Sequence, residues 1–514
     1  MSAPLHSLAL VHANVYKDSV ALMRVAQRLL ALPDVVNATL QMGTAANKEI
    51  LLEAGLMTDA LNGAGPSDIM VAVQARTRAA CETAGVECKA QLAGSGAAAT
   101  AATDVMAPRT LAMGRAAMPA ANIAQISVPG GYAAAEALKA LKLGLNVFLF
   151  SDNVPLAQEV ALKQEAARRG LLVMGPDCGT AIIGGVPLGF ANNLRRGSIG
   201  LVAASGTGLQ EVTTQIHRMG GGVSHAIGTG GRDVDAQVGG STLLQGIELL
   251  AHDRSTQVIV VVCKPPAPEV TAKVFAHLSQ ARKPAVVLML GSTPQAPAQQ
   301  THPIRVARTL VDCAAAALQL AGVKPAPVPH YAIPPKPAFA ASQKHLRALF
   351  CGGTFATEAQ VIWAESGLQV WSNVALDPAL ALSNARNESR GHTALDMGDD
   401  AFTVGRAHPM IDQTARIERL LQEAADPSVR VVLLDVVIGW GAHADPAAEL
   451  ALAITQAKRI AAQADRELAV IGFVCGTELD PQQLVKQEAA LRAAGTVLAG
   501  SSANAAWLAG QWVQ

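Results

Sequence analysis

The residues best suited to chemistry are Ser205-Gly206-Thr207-Gly208. They follow the apolar run Ile199-Gly200-Leu201-Val202-Ala203 and precede Glu211-Val212-Thr213-Thr214-Gln215-Ile216. They therefore read as the turn between a buried parallel strand and an amphipathic helix. The first N–H groups of a helix have no partner within it, and the aligned peptide dipoles add partial positive charge there. Glycines let a ligand approach the backbone, and Ser205 and Thr207 add hydroxyl donors. A phosphate or a carboxylate is the expected ligand. The alternative is that the two hydroxyls only cap the helix.

Comparable segments recur at the carboxyl ends of other apolar runs, where open parallel sheets bind ligands. They are Gly175-Pro176-Asp177-Cys178-Gly179-Thr180, Gly228-Thr229-Gly230-Gly231-Arg232-Asp233, Cys263-Lys264-Pro265-Pro266 and Cys351-Gly352-Gly353-Thr354. The last opens a helix and is a second candidate anion cradle. Each alone is compatible with a tight turn; the recurrence is what carries weight. Cys178 reads as a small buried thiol more readily than as a nucleophile.

A further polar segment runs from Gly391-His392-Thr393-Ala394-Leu395-Asp396-Met397-Gly398-Asp399-Asp400 to Arg406-Ala407-His408-Pro409-Met410-Ile411-Asp412. Arg406 could grip a carboxylate or phosphate bidentately. Asp396, Asp399 and Asp400 could hold a divalent ion bound to phosphate. The alternative is a surface loop in which Asp412 caps the next helix and Arg406 pairs with a nearby Asp. The spacing from His392 to His408 matches no zinc motif, and no resident metal is expected. No nucleophile elbow, Walker lysine or dinucleotide-binding G-x-G-x-x-G is present.

These loops need strands and helices to position them, and the chain alternates the two. A small α/β unit is expected over 1–105, with a helix opened by Asp18 or Ser19, strands at Val35–Met42 and Ile69–Val73, and an alanine-rich connector at 94–103. A Rossmann-like unit is expected over 106–197, with strands near Ile123–Val128, Val147–Phe150 and Leu171–Met174. A further unit of the same pattern follows over 198–322, with strands at Ile199–Ala203, Val223–Ile227, Val258–Cys263 and Ala285–Met289. Val323 to Pro337 hold six prolines and read as an extended linker within 323–344. A last unit, 345–514, has strands at Leu346–Phe350, Val431–Asp435, Ala469–Val474 and Thr496–Ala499. The fold class is α/β, with several doubly wound parallel-sheet domains.

Composition agrees. With 514 residues the chain is too long for one core. Half the residues are apolar but only 3% are aromatic, as where small side chains pack helices on parallel sheets. Forty basic and 40 acidic residues cancel, which favours neither nucleic acid nor an anionic membrane as partner. Seven scattered cysteines without a CxxC pair suit a reducing compartment. No signal peptide or transmembrane run is visible, so a cytoplasmic location is expected.

The quoted motifs resemble the succinyl-CoA synthetase superfamily, and most closely its FdrA branch. The resemblance implies that 106–197 is a CoA-binding-type unit, 198–322 an α-like ligase-type unit and 345–514 a unit like the carboxyl-terminal domain of the β subunit. Val173-Met174-Gly175-Pro176-Asp177-Cys178 is similar to the GPNC turn of the α subunit, and Ser205-Gly206-Thr207 with Glu211 to its S-G-T…E segment. Gly228 to Asp233 resembles its GIGGD loop, and Leu395-Asp396-Met397-Gly398 the L-D-V-G of the β subunit's carboxyl-terminal domain. Asp18-Ser19-Val20, Met42-Gly43-Thr44-Ala45 and the segment from Gly391 to Asp412 resemble FdrA proteins.

The departures bear on the chemistry. The superfamily's phosphorylated histidine lies in a G-H-A-G-A segment, whereas here the region offers only His302, without those neighbours. Its supporting glutamate is replaced within Cys263-Lys264-Pro265-Pro266. No ATP-grasp domain is present, and the glycine-rich first turn of the CoA-binding domain is not recognisable upstream of Pro108.

The FdrA branch implies carbamoyl transfer of the oxamate carbamoyltransferase type in purine-ureide breakdown, carried out with companion subunits. Acyl phosphate or carbamoyl phosphate and a small carboxylate are the implied small-molecule partners, in a homo-oligomer or hetero-complex. Ser205 to Gly208, with Gly352, Gly353 and Thr354, would hold phosphate. Arg406 or Lys264 would neutralise charge in the transition state, with His408 beside them. No cofactor is required with certainty. CoA is the candidate, and Mg2+ would enter only with a nucleotide or acyl phosphate. The alternatives are an NDP-forming acyl-CoA synthetase whose ATP-grasp subunit is separate, and a non-catalytic scaffold subunit.

Overall fold

The computed structural model describes residues 5–514 except 16, 18, 54, 95–107, 299, 329–330 and 404–405. The expected connector at 94–103 lies almost wholly outside the described residues, as does Asp18. The chain forms two units: residues 1–109 with 405–407, and residues 110–404 with 408–514.

In the first unit Ile69–Ala75 is the central strand, antiparallel to His6–His12 on one side and to Val35–Met42 on the other. The two outer strands are joined through the helix Ser19–Leu30, a split β-α-β arrangement. Side-chain alternation explains its two small cores. Ile69, Val71 and Val73 pack with Leu22, Leu29 and Leu40 on one face. Met70 and Ala72 pack with Leu51, Leu56 and Leu61 on the other.

The second unit carries the candidate loops. A three-stranded parallel sheet runs Ile123–Ile126, Asn146–Leu149, Val173–Met174. A seven-stranded sheet follows in the order Ile304–Val306, Ala285–Met289, Val258–Cys263, Arg196–Ala203, Val223–Gly228, Thr180–Ile183, Val186–Gly189. Its first five strands are parallel and have the doubly wound order of flavodoxin. The topological switch falls between Arg196–Ala203 and Val258–Cys263, and these two strands lead into the Ser205 turn and Lys264. Unbroken apolar composition marks such strands: every residue of Val258–Cys263 is buried.

A third, six-stranded parallel sheet has the order Val370–Ser372, His392–Asp396, His345–Phe350, Val429–Val437, Ala469–Cys475, Thr496–Leu498. Its first strand in the chain, His345–Phe350, lies inside the sheet, and its carboxyl end leads into Cys351-Gly352-Gly353.

Two elements differ from expectation. The hairpin Thr180–Ile183/Val186–Gly189 joins the seven-stranded sheet, although the sequence reading ran the preceding unit on to residue 197. His392–Asp396, read as part of a polar loop segment, is an internal strand whose residues Thr393 to Asp396 are buried. The linker 323–344 contains no helix or strand among its described residues. It is nevertheless tied down: Tyr331 donates to Glu488 Oε1 at 2.5 Å and accepts from Arg218 Nη2 at 3.0 Å. No helix of the described residues is long and apolar enough to cross a membrane.

Candidate functional site: two helix starts that meet

Ser205 ends one strand and caps the helix Gly206–Arg218, its Oγ accepting from Gly208 N at 3.0 Å. Gly352 ends another strand and begins the helix Gly353–Glu365 without a side-chain cap. The two starts meet. Ser205 Oγ and Thr354 Oγ1 are 2.5 Å apart. A Cβ on Gly352 would lie 2.8 Å from Thr207 Oγ1, and one on Gly208 would lie 3.0 Å from Thr354 Cγ2. Glycine is therefore what lets two positive helix ends come this close. Juxtaposed dipole ends repel each other, and an anion between them relieves that repulsion.

Lys264, Asp396 and His408 surround the second start. A Cβ on Gly353 would stand 2.6 Å from Asp396 Oδ2 and 2.7 Å from Lys264 Nζ. One on Gly398 would stand 2.6 Å from His408 Nε2 and 3.3 Å from Asp396 Oδ1. Burial pushes the Asp396 carboxyl up to about 6, against the lowering influence of the Lys264 ammonium and the Gly398 N–H. Burial, helped by the Arg416 charge, brings His408 down to about 4, so the ring is neutral near pH 7. Met410 N donates to His408 Nδ1 at 3.2 Å. The neutral ring then carries its proton on Nε2, the nitrogen nearest Gly398 and Asp396. His408 is thus a fixed N–H donor.

The two expected substrate loops pack on each other. A Cβ on Gly230 would meet Pro176 O at 2.2 Å, which explains glycine at that position, while Gly231 faces open space. Asp177 keeps part of its surface exposed. Desolvation, then repulsion from Asp152 and Asp400, pushes its carboxyl up to about 7. Arg232 opposes this and is itself anchored by Val154 O at 2.7 Å and Glu159 Oε2 at 3.0 Å. Cys178 is buried and its thiol is pushed up to about 12 by burial, so it is no nucleophile.

Of the three carboxylates read as a possible divalent-ion site, Asp396 accepts from Gly398 N at 3.0 Å and Asp399 from Ala401 N at 3.0 Å. Among the described residues no three His, Cys, Asp or Glu side chains gather as a metal cluster. Asp412 Oδ1 accepts from Thr414 N at 2.8 Å, while the cap position of the helix Thr414–Ala425 is held by Gln413 without a side-chain cap bond. His302 lies in the loop before Ile304–Val306 with Nδ1 3.3 Å from Thr301 Oγ1. Arg406 groups with the first unit, whereas both helix starts belong to the second.

Sequence reasoning missed the buried supports. Arg416, fully buried, donates to Leu349 O at 3.0 Å, Asp435 Oδ1 at 3.1 Å and Cys351 Sγ at 3.0 Å. Asp435 Oδ1 accepts from Cys351 N at 2.9 Å. This pair fixes the turn that aims the second helix start. Through Gln413 it also reaches the His408 loop, because Arg416 Nη1 donates to Gln413 Oε1 at 3.1 Å and Gln413 Nε2 to Pro409 O at 2.6 Å.

Two parallel-sheet lobes, each contributing a glycine-rich helix start to one cradle, define a protein of the succinyl-CoA-synthetase-like, CoA-ligase type. The family model described as CoA-ligase matches residues 349–512, and the CoA binding domain model matches 195–291, the segment expected to be the ligase-type unit. The model described as AllF, heavy metal-associated domain, matches 5–107. The chain is 42% identical to the uncharacterized protein YahF of Escherichia coli K12, over 98% of each chain. It belongs to the FdrA family. A further relative is the ADP-forming sulfoacetate-CoA ligase subunit SauD of Bilophila wadsworthia, 26% identical over 28% of this chain and 50% of that one. Subunit alpha 2 of the ADP-forming succinate–CoA ligase of Archaeoglobus fulgidus is 26% identical with the same coverage, so the match spans half the length of these two relatives. Among solved structures, PH0766 from Pyrococcus horikoshii OT3 aligns over 80% of this chain and 86% of its own, with 15% identity and a TM-score of 0.35.

Proposed function

We propose that the paired helix starts hold the phosphoryl group of carbamoyl phosphate or an acyl phosphate. On this reading the protein, with companion subunits, transfers a carbamoyl group between an N-carbamoyl compound and phosphate. The observation that carries the reading is the start-to-start meeting of Ser205–Gly208 with Gly352–Thr354. Unpaired N–H groups from two helices and the Lys264 ammonium would neutralise a dianion there.

In phosphorolysis a phosphate oxygen attacks the carbamoyl carbon. The C–O bond forms, the C–N bond breaks, and its electron pair goes to nitrogen, which takes a proton. Asp396, protonated below about pH 6, is the group at the cradle able to supply that proton. His408 Nε2–H would bind oxygen as it gains charge in the tetrahedral state. Holding two anions in line supplies much of the rate.

The acid–thiol ligase reading is favoured by the family descriptions, which name coenzyme A. Beyond the three-stranded sheet, the helix Gly130–Lys142 begins without a side-chain cap, and a Cβ on Gly131 would meet nothing within 4 Å. Backbone is approachable there, but a Cβ on Gly130 would stand 2.3 Å from Asp152 O, and the Asp152 and Asp400 carboxylates both repel Asp177. That charge favours a ligand bearing N–H groups over a polyphosphate.

The test is turnover by the full chain reconstituted with the proteins encoded beside it. Carbamoyl phosphate should be consumed with a small amide acceptor, and Lys264→Met should lose most of the rate. Thioester formation from ATP, coenzyme A and a carboxylic acid, without carbamoyl transfer, would replace this reading with the ligase.

A further inference from the structure

Each of the two facing helices carries a glutamate in its second turn, Glu211 on Gly206–Arg218 and Glu358 on Gly353–Glu365. Glu211 is 0% and Glu358 1% exposed, and each crosses to the opposite lobe. Glu211 Oε1 accepts from Ser502 N at 3.1 Å, at the start of the helix Ser502–Val513. Glu358 Oε1 accepts from Leu310 N at 2.7 Å, at the start of the helix Leu310–Leu320. The exchange is reciprocal, with each lobe capping a helix of the other. The two carboxyls also share one hydroxyl: Ser502 Oγ lies 2.5 Å from Glu358 Oε2 and 3.5 Å from Glu211 Oε1.

We infer that Glu211, Glu358 and Ser502 form a latch between the lobes that is closed while the pair of carboxyls holds one proton and loosens when that proton is lost. The donor count supports it. Glu211 Oε2 is buried without a hydrogen-bond partner, so two full negative charges would not be satisfied there. The facing groups are few. Gln215 Nε2 donates to Glu211 at 3.0 Å, and Arg218 and the Cys475 thiol stand toward it; Asp312 adds negative charge near Glu358. Burial raises both carboxyls, Glu358 to about 7, and Glu211 adds to that rise. The two titrate as a coupled pair.

The sign follows. A carboxyl raised in the closed state holds its proton there and releases it on opening. Closure is therefore strongest at low pH and weakens as pH rises from the free-glutamate range through about 7. Because the same two helices begin at the cradle, a loosened latch would also separate the helix starts. That consequence alone rests on the proposed phosphate site.

The test is hydrogen exchange of the Ser502–Val513 and Gly353–Glu365 amides in the ligand-free full chain from pH 5 to 8, corrected for intrinsic exchange. The opening equilibrium should rise about tenfold per pH unit and level off above about pH 7. Glu358→Gln puts a permanently neutral group where the shared proton sits, so its opening at pH 8 should fall below that of the wild type and its slope should be smaller. If that variant does not fold, Glu211→Gln is read in its place: it removes the charge that adds to the Glu358 rise, so the plateau should move to lower pH. A flat wild-type profile, or an unchanged profile in the folded variant, would overturn the latch without touching the phosphate reading.

Discussion

A carboxyl buried beside an ammonium group titrates between the extremes that burial and ion pairing would each impose. Asp396 is such a group, near 6 between Lys264 and the Gly398 N–H. Its proposed role makes opposite demands in the two directions. Phosphorolysis needs the acid, so its rate should fall as pH rises through about 6; carbamoyl transfer from carbamoyl phosphate needs the carboxylate, so its rate should rise over the same range. Asp396→Asn should remove both limbs with most of the turnover. Rate profiles in the two directions with the same slope would reject Asp396 as the proton carrier. Lys264, Asp396 and the Ser205 turn were legible because they stand among small residues at strand ends. Glu358, Asp435 and Arg416 were not. A charged residue inside a helix or strand looks like solvent-facing surface until its neighbours are known, and these find theirs on elements distant in the sequence.

At the scale of elements, unbroken apolar runs such as Val258–Cys263 gave away the parallel strands, because only a strand covered on both faces has no polar side. His392–Asp396 was missed because His392 and Thr393 open it beside the polar Asn384–Arg390 stretch. The hairpin Thr180–Gly189 carried a signal that went unused. Its Gly184-Gly185 turn has φ of 61° and 86°, the left-handed pair that a tight hairpin needs. The linker, expected only to connect, also fastens. Tyr331 bridges Arg218 and Glu488, and the Arg492 guanidinium lies 5.2 Å from its ring. Tyr331→Phe keeps the ring and removes the bridge, which should cost about 1–2 kcal/mol. The check is denaturant unfolding of the full chain; a loss below about 0.5 kcal/mol would show that the hydroxyl is dispensable.

Across the larger unit, two lobes built on parallel sheets face each other through helices of the same length, Gly206–Arg218 and Gly353–Glu365. One hydrophobic core runs through both, with Leu209, Val212 and Ile216 in the same cluster as Phe355 and Trp363. The cradle is thus a property of the joined lobes; neither makes it alone. Its most direct test is a titration of the full chain with inorganic phosphate and carbamoyl phosphate, followed by phosphorus NMR, in wild type and Gly206→Val. A Cβ at residue 206 meets only Thr180 Oγ1, at 3.5 Å, so the fold should tolerate the change while the branched side chain occupies the anion's place. Wild type should bind both ligands. The variant, with unchanged melting temperature, should bind at least about tenfold more weakly, a loss of about 1.4 kcal/mol or more. Equal affinity in the folded variant would contradict the account and place the anion elsewhere.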